Sequence, residues 1–380
     1  MSMFARFLLP LFLGLVVGCA GGNSGDGQGT SEVSLEDSRR SIEFSGLQKK
    51  SGLFDISLEY GPDGVGWMAV SRVQIPKFVD THIARSLDNG RTWSYVTSVG
   101  ESREGTLTVN GAQKQGAWRD ETPSLLHDPD DGPERRWKLF TNNYFVEKPF
   151  KPKSRLLGHG VINVRHAASP AGPWSRPECI IGNAPTCKMQ PDTSHPDLAD
   201  VRMNTEPATI VEDGTIYLAV DAGSTDTGLG EWENYRVVLY ASENHGETWR
   251  YVGKLLDHKD AKRFGYRVFT GVSLVRVQGK IFVLATPSGA YSKKNKGHDG
   301  AMAIEVSNIG QSEVRRDPTG KPLVAMRLEP ASGSGGLADY DEQNTAGGVV
   351  FSEIQLLKFP RVFRLYQTNE RLDVTSASDP

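Results

Sequence analysis

The chain has 380 residues and a formal net charge of −3 at pH 7, from 43 Lys and Arg against 46 Asp and Glu. The two signs are interspersed along the chain, and this argues against a nucleic-acid partner, which would need a clustered basic face. Roughly 330 residues follow the amino-terminal segments, which is large for one compact core but normal for a repeat architecture.

The amino terminus has the pattern of an export signal. One positive charge, Arg6, precedes an apolar run from Phe7 to Val17 that is too short to span a membrane. Val16-Val17-Gly18-Cys19 resembles the lipobox of bacterial lipoproteins, which implies that residues 1–18 are removed and that Cys19 is lipidated as the first mature residue. An ordinary cleaved signal or a small membrane anchor is the alternative.

Lipidation would decide where the protein lies. Several acyl chains, each contributing ~0.8 kcal/mol per buried methylene, make a stable anchor without a further membrane segment. Ala20 stands where bacterial sorting rules place an aspartate for inner-membrane retention, so the resemblance implies the outer membrane, with the folded domain outside the cytoplasm. Residues 19–40 are predicted to be a flexible tether because they contain almost no large apolar side chains, and residues 41–380 to be one domain.

The body of the chain predicts an all-β fold. Short runs of β-branched and aromatic residues alternate with turn dipeptides such as Asp-Gly and Asn-Gly, and Leu256 to Phe264 is the only modest helix candidate. Cys179 and Cys187 lie close together in a segment with a Pro and a Gly between them. In an oxidising compartment they are predicted to form a local disulfide, with two separate buried thiols as the alternative.

An internal repeat organises the body. The segments from His82 to Trp93 and from Val238 to Trp249 both run from a strand through a Gly-bearing turn to Thr-Trp, and Val164 to Trp174 is a degenerate third copy. An apolar hairpin precedes each copy, so that hairpin and repeat together make one four-stranded unit. Such units lie near residues 53–105, 118–185, 203–257 and 268–328, with a last one from about 345. They predict a β-propeller of five blades, with six as the alternative, and Ser41 to Leu47 as a candidate strand that closes the ring.

The repeat resembles a known motif, the Asp box of the sialidase-like propellers, Ser-x-Asp-x-Gly-x-Thr-Trp. One segment matches it at every fixed position and the other has Asn in place of Asp; the matching residues are Ser86, Asp88, Gly90, Thr92 and Trp93, and Ser242, Asn244, Gly246, Thr248 and Trp249. In that superfamily the box forms a turn between the outer strands of a blade. The resemblance therefore implies a structural role for these residues, remote from the central cavity.

The resemblance also implies where catalytic groups lie, at the start of each innermost strand. The corresponding residues are Glu206, Asp120 and Glu121 as candidate catalytic carboxyl groups, and Arg119, Arg202, Arg267, Tyr266 and Asp80 as candidate substrate-binding groups. Ser352-Glu353 is a looser candidate in the last blade. Glycoside hydrolysis needs a protonated carboxylic acid and a second carboxylate roughly 5 to 9.5 Å away, and arginines would bind an acidic sugar.

Two resemblances compete at this site. The sialidase arginine motif is matched only loosely by Arg72-Val73-Gln74-Ile75-Pro76, whereas five blades and the turn from Ser169 to Trp174 look more like the arabinanase and fructosidase propellers. In those enzymes an Asp opens blade one, where Asp80 and Asp55 are available. The segment from His127 to Gly132 is interpreted as a surface turn rather than a calcium loop, and neither a metal nor a cofactor is expected.

Two functional hypotheses follow. The first is a membrane-anchored, sialidase-like glycoside hydrolase that acts on glycans outside the cytoplasm, with Glu206 and Asp120 or Glu121 as its carboxyl pair. The alternative is a non-catalytic propeller of the cell envelope that binds glycans or proteins. Both hypotheses expect a monomer with a glycan or polysaccharide partner, held at the membrane through its lipid anchor only.

Overall fold

The structure is a computed structural model that describes residues 32–34, 39–47, 52–151, 154–190, 194–225, 234–291, 297–331, 334–355 and 362–372. Residues 1–31, which include Cys19, lie outside these ranges, so the signal peptide and the lipidation stay predictions. The described residues are almost entirely β-strand, which confirms the all-β prediction. None of the helices among them is long and apolar enough to cross a membrane.

The first half of the chain contributes twelve strands. They are β1 (Glu32–Ser34), β2 (Arg39–Ile42), β3 (Phe44–Ser45), β4 (Gly52–Tyr60), β5 (Gly66–Gln74), β6 (Phe78–Ser86), β7 (Trp93–Gly100), β8 (Arg103–Val109), β9 (Ala112–His127), β10 (Trp137–Glu147), β11 (Arg155–Ala167) and β12 (Glu178–Gly182). The second half adds β13 (Met203–Glu212), β14 (Thr215–Gly223), β15 (Arg236–Ser242), β16 (Arg250–Asp257), β17 (Val268–Val277), β18 (Lys280–Ser288), β19 (Ala301–Asn308), β20 (Glu313–Val314), β21 (Val324–Glu329), β22 (Gly335–Asp339), β23 (Val350–Gln355) and β24 (Val362–Thr368).

Among the residues that the structure describes, an α-helix and a 3-10 helix lie between strands. Helix α1 (His258–Lys262) lies within the predicted helical stretch and begins with a capping box. The Asp257 side chain accepts the backbone N–H of Asp260, and the Asp260 side chain accepts that of Asp257, which satisfies two of the N–H groups left free at a helix start. A 3-10 helix, Ile309–Gln311, follows β19.

The strands form five consecutive antiparallel groups. These are β4-β5-β6-β7, β9-β10-β11-β12 with β8 added beside β9, β13-β14-β15-β16, β17-β18-β19-β21, and β22-β23-β24. The first strands of the groups contact one another in the cyclic order β4, β9, β13, β17, β22 and back to β4, which places these inner strands around a common axis. One parallel pair, Phe363 with Gly52, joins the first and last groups into a single nine-stranded sheet, so the blade number stays a prediction.

Every inner strand has a bulge at the same place. Each bulge contains one residue in the left-handed backbone region, and these are Asp55 (φ 49°), Thr122 (φ 53°), Glu206 (φ 55°), Gly271 (φ 55°) and Leu337 (φ 53°). The strand pairing shifts register at each of them. Because four of the five are not glycine, the conformation belongs to the repeated architecture and not to one functional residue.

The segment from Ser41 to Leu47 closes the ring, as predicted. Its β2 pairs with β24 of the last group and its β3 pairs with β7 of the first. Two strands also lie inside the predicted tether, because β1 pairs with β21 and β2 begins at Arg39. The last group begins at Gly335 and not near 345, because its inner strand, Gly-Gly-Leu-Ala-Asp, lacks the β-branched residues that mark a strand in the sequence.

The two Asp-box segments fold alike, between the third and fourth strands of their groups. Thr92 donates its backbone N–H to Asp88 at 2.8 Å, and Gly90 donates to Ser86 Oγ at 2.8 Å. Thr248 donates to Asn244 at 2.9 Å and Gly246 to Ser242 Oγ at 2.8 Å. Both turns lie at the outer edge of the ring, which fits the structural role inferred for them. The predicted Cys179–Cys187 disulfide is formed and joins the start of β12 to the loop that follows the strand.

Candidate active site

A cavity of about 260 Å³ lies on the axis, lined by all five inner strands. Near its lining, three carboxyl side chains come from three different strands: Asp55 from β4, Glu121 from β9 and Glu206 from β13. Each is at, or directly before, the left-handed bulge residue of its strand. The repeated bulge therefore gathers side chains that are 66 or more residues apart in sequence.

The three carboxyl groups act on one another electrostatically. Burial raises the pKa of Asp55 well above its usual value, and the charges of Glu121 and Glu206 raise it further, against hydrogen bonds from Ser71 and the Thr122 backbone. Asp55 is 9% exposed, whereas Glu121 and Glu206 are half-buried. Asp55 therefore keeps its proton to higher pH than an exposed aspartic acid does.

Glu121 is held by a phenol and two arginines. Tyr144 donates a 2.5 Å hydrogen bond to Glu121 Oε1, and Arg119 donates a 3.3 Å hydrogen bond to the Tyr144 oxygen. Burial lowers the pKa of Arg155, but its interactions with Tyr144, Glu121 and Glu206 outweigh burial and raise this pKa above its usual value. Burial, followed by the charge of Glu121, raises the pKa of Tyr144, which keeps its proton.

Glu121 and the three residues around it lie on the longest strand group. Strand β9 begins ten residues before its bulge residue Thr122, whereas β4 begins three residues before Asp55. The extra length of β9 pairs with β8 and β10, and β10 pairs in turn with β11. The second group therefore projects beyond the others on the side of the carboxyl cluster and forms one wall of its mouth.

Glu206 has a second carboxyl group behind it. Asp221, on β14, is fully buried, and its Oδ2 accepts the Gly271 N–H at 3.0 Å and the Thr270 hydroxyl. The same Thr270 hydroxyl lies 2.7 Å from Glu206 Oε2. Burial raises the pKa of Asp221 well above its usual value, and the nearby Glu206 raises it further.

Two further polar rings face this pair. The Tyr235 phenol has a pKa raised well above its usual value by burial and then by Asp221 and Glu206. His298 shares a 2.8 Å hydrogen bond with Ser288 Oγ, and burial lowers its pKa although Glu206 opposes the shift. The imidazole is therefore neutral at neutral pH, and the phenol stays protonated.

The structure brings together Glu206, Glu121 and Arg119 of the sequence-predicted residues, but not Asp120. Neighbouring residues of a strand point to opposite faces, so Asp120 points away from Glu121. Its carboxylate binds Arg165 at 3.0 Å and Thr81 at 3.2 Å, between the first and second groups. The Asp120 carboxylate is thus held in a buried ion pair with Arg165, and its catalytic role stays a prediction.

The other predicted substrate-binding residues have separate surroundings. Asp80 lies on β6, the third strand of its group, and accepts hydrogen bonds from Arg72 and from the Ser102 N–H at 2.8 Å. Tyr266 donates to Asp299 at 2.6 Å. The remaining two are Arg202 and Arg267. Arg202 is exposed, and the Arg267 guanidinium lies 4.9 Å from the ring centre of Tyr291. No contact of the described residues brings either arginine to the carboxyl cluster.

The predicted arginine cluster for an acidic sugar is therefore not assembled. Arg119 also donates to the backbone oxygens of Pro76 and Lys77, which occupies much of its guanidinium. Glu353 of the looser candidate Ser352-Glu353 lies on the second strand of the last group and pairs with Arg39. Sequence reasoning missed Tyr144, Arg155 and Asp221; the last had a signal, since a charge in the middle of Leu-Ala-Val-Asp-Ala-Gly has no place in an apolar strand.

One group of side chains has metal-ligand geometry. Ligand atoms of Asp128 and Asp131, in the turn between β9 and β10, and of His245, in the turn between β15 and β16, lie within 4.8 Å of one another. The fully buried Lys138 ammonium lies 3.0 Å from Asp128 and 2.5 Å from Asp131, which places a positive charge where a cation would bind. These contacts fit the interpretation of residues 127–132 as a structural turn.

The sequence matches no protein-family model and no curated protein sequence. The fold is similar to that of a family 117 glycoside hydrolase from the marine bacterium Zobellia galactanivorans, with a TM-score of 0.51 and 12% identity over 91% of this chain and 93% of that one. The family 32 β-fructofuranosidase of Bombyx mori gives a TM-score of 0.52 and 12% identity over 83% of this chain. An exo-β-1,3-galactanase from Clostridium thermocellum gives 0.52 and 11% over 86%.

This chain spans 59% of the length of the fructofuranosidase and 60% of that of the galactanase. At these identities the similarity shows the fold, which is a β-propeller of the kind found in glycoside hydrolases. The predicted resemblance to such propellers is confirmed at that level.

Proposed function

We propose that this protein is a glycoside hydrolase that acts on glycans outside the cytoplasm, anchored to a membrane through Cys19. The observation that carries the proposal is the convergence of Asp55, Glu121 and Glu206 from three inner strands, with the charges of Glu121 and Glu206 both acting on Asp55. Glycoside hydrolysis needs one protonated and one ionised carboxyl group beside the scissile bond. The fold similarity to glycoside hydrolases supports the same proposal.

Asp55 and Glu206 form the proposed carboxyl pair. Asp55 is the more buried of the two and holds its proton to higher pH, which is the state that a proton donor to a leaving-group oxygen requires. Glu206 is half-buried and would act as the carboxylate. Glu121 lies beside both and stabilises positive charge that develops on the sugar ring.

Tyr144 does not act as a nucleophile of the sialidase type in this proposal. Its side chain is fully buried, so a sugar carbon cannot reach its oxygen, and its raised pKa keeps the phenol protonated. Its hydrogen bond instead orients Glu121. The sialidase resemblance is thus restricted to the repeated turns.

The proposed substrate is an uncharged sugar unit. Arg155 interacts with Glu121 and Glu206, and Arg119 donates to Tyr144 and two backbone oxygens, so both cations near the cluster already face acceptors of the protein. A sugar carboxylate would have to compete with these partners and would approach two carboxylates. A neutral sugar meets hydrogen-bonding groups without that cost.

The test is hydrolysis by the full chain, in detergent, of a panel of neutral and acidic glycans. Glu206→Gln and Asp55→Asn should each lower kcat by roughly 10²–10⁴-fold on the substrate that is cleaved. Glu212→Gln, at the far end of the same strand β13, is the matched control and should retain wild-type rates.

Each outcome decides between the hypotheses. Hydrolysis that survives Glu206→Gln would remove Glu206 from the mechanism. Binding of glycans without any hydrolysis would favour the non-catalytic, glycan-binding propeller instead. Cleavage of acidic glycans alone would overturn the proposed uncharged substrate.

A further inference from the structure

We propose that Asp221 is a positioning residue that acts through Glu206 by sharing one proton with it across the hydroxyl of Thr270. This inference rests on the proposed function, because it assigns Glu206 its partner in that site. Asp221 itself is fully buried on the second strand of the third group, behind Glu206, and touches no space that a substrate could enter.

The repeat shows that the fold does not need a carboxyl group at this position. In each group one residue of the second strand pairs with the residue just before the left-handed bulge residue; these five are Ser71, Asn142, Asp221, Thr286 and Ser352. Ser71 Oγ and Thr286 Oγ1 accept the N–H of the bulge residue in the next inner strand, at 3.0 and 2.7 Å, as Asp221 accepts that of Gly271 at 3.0 Å.

A hydroxyl therefore performs the structural task in two of the other groups. Asp221 is the only acidic residue among the five, and it stands in the group that also carries Glu206. Burying a carboxyl group completely costs free energy that a serine at the same position would avoid. The carboxyl group of Asp221 therefore has a task other than accepting this structural hydrogen bond.

Hydrogen-bond counting around Thr270 identifies that task. Thr270 Oγ1 lies within hydrogen-bond distance of both Glu206 Oε2, at 2.7 Å, and Asp221 Oδ2. A hydroxyl has one proton, so it can donate to only one of two carboxylates. The other carboxyl group must carry a proton and donate it to the hydroxyl oxygen, so the pair Asp221 and Glu206 holds one proton.

The surroundings favour Asp221 as the site of that proton. Its second oxygen, Oδ1, is buried without a hydrogen-bond partner among the residues that the structure describes. An ionised carboxylate with one unsatisfied buried oxygen is costly, whereas the protonated form is not. A protonated Asp221 with Thr270 donating onwards holds the negative charge on Glu206, which is the less buried of the two groups.

Four other titratable or charged groups face this pair and enter its proton balance. Asp55 from β4 is a third carboxyl group, which holds its proton to higher pH because of burial and the charges of Glu121 and Glu206, and Arg155 from β11 adds positive charge. Tyr235, before β15, and His298, before β19, are neutral at neutral pH because burial raises the pKa of the first and lowers that of the second. Removing Asp221 should leave all four in place, so a change in titration reports the shared proton.

The experiment compares Asp221→Ser and Asp221→Asn with the wild type. Serine restores the residue type of the equivalent positions 71 and 352 and retains an acceptor for the Gly271 N–H. The titration of Glu206 is followed by ¹³C NMR of the full chain, labelled at its Glu carboxyl carbons, and its signal is assigned with Glu206→Gln. The wild type should show two titration steps. In both variants the titration should collapse to a single step. The midpoint of that step should lie at least about one pH unit below the upper midpoint of the wild type. On a cleaved substrate, the acid limb of the kcat/KM profile, which the ionisation of Glu206 sets, should move while KM stays within about threefold.

Thr286→Val is the matched structural control, since it removes the same kind of acceptor in the next group and carries no titrating group. It should lower stability without moving the Glu206 titration. A Glu206 titration that is unchanged in both Asp221 variants would overturn the inference. The NMR measurement does not need activity, so a protein that hydrolyses nothing but shows the coupled titration contradicts the proposed function and not the shared proton.

Discussion

The phenol of Tyr144 donates a 2.5 Å hydrogen bond to Oε1 of Glu121, from a side chain that is itself fully buried. The two residues lie on adjacent strands of the second group, β9 and β10, and both act on Arg155. The contact fixes one oxygen of Glu121, whose side chain is half-buried. It makes Glu121 a rigid part of the proposed site.

Tyr144→Phe should therefore lower kcat/KM by roughly tenfold to a hundredfold, because a hydrogen bond to a charged group is worth about 1.5–3 kcal/mol. The measurement is steady-state hydrolysis of the cleaved glycan together with a thermal melt. Tyr251→Phe is the matched control, since it also removes a phenol–carboxylate hydrogen bond, to Asp197 at 3.0 Å. Equal losses in the two variants would show that Glu121 needs no fixed orientation.

The two repeated turns should contribute to stability with different pH dependence. Hydrogen bonds from the Thr92 hydroxyl, the Thr92 N–H and Ser86 lower the pKa of Asp88 to about 2, below its unfolded value. A lowered folded pKa gives stability that is present above the unfolded pKa and is lost as the pH falls from about 4 towards 2. Asn244 makes the equivalent bonds without titrating.

Asp88→Ala should thus reduce the free energy of unfolding by about 1 kcal/mol at pH 7, and this difference should shrink as the pH falls below 4. The difference caused by Asn244→Ala should stay constant over the same range. Urea unfolding at a series of pH values measures both. A pH-independent effect of Asp88→Ala would contradict the assigned hydrogen bonds.

Lys138 should be essential to stability, because it is the buried cation between Asp128 and Asp131. Lys138→Met removes the buried ammonium and leaves Asp128 with His245 and Asp131 with Arg135, so it should cost about 3–5 kcal/mol of unfolding free energy. Lys114→Met, which removes a half-exposed pair with Glu147, should cost less than about 1 kcal/mol. Chemical denaturation measures both variants.

The same cluster predicts an insensitivity to chelators. Since the ammonium occupies the position that a cation would take, EDTA should leave the melting temperature of the wild type unchanged. A melting temperature that falls with EDTA and recovers with calcium would show that Asp128, Asp131 and His245 bind a metal in spite of Lys138.

The anchor is tested at Cys19. Cys19→Ala removes the lipid attachment site, so the folded protein should move from the membrane fraction to the soluble fraction of the cell envelope. Fractionation followed by immunoblotting, with a circular dichroism spectrum of the released protein, measures this. Retention of the variant in the membrane fraction would show that the amino-terminal apolar run itself is the anchor.

The carboxyl cluster shows where sequence reasoning ends. Glu206 was predicted because a charge precedes Pro207 at the mouth of an apolar strand, and Glu121 because it opens a strand. Asp120 was predicted on the same grounds, and the alternation of side chains along β9 turned it towards Arg165 instead. One residue of register separates the two roles, and a sequence pattern does not resolve that step.

The sequence by itself determined the all-β class, the repeated turns at Ser86–Trp93 and Ser242–Trp249 and the pairing of Cys179 with Cys187, because each depends on residues close together in the chain. Only the tertiary structure decided that Asp55, Glu121, Glu206 and Asp221 meet, since closure of the ring joins strands from the first, second and third groups. It also decided that Arg202 and Arg267 do not join them. Local propensity carries no information on which faces of distant strands converge on an axis. The candidate site is made of side chains that only this convergence brings together.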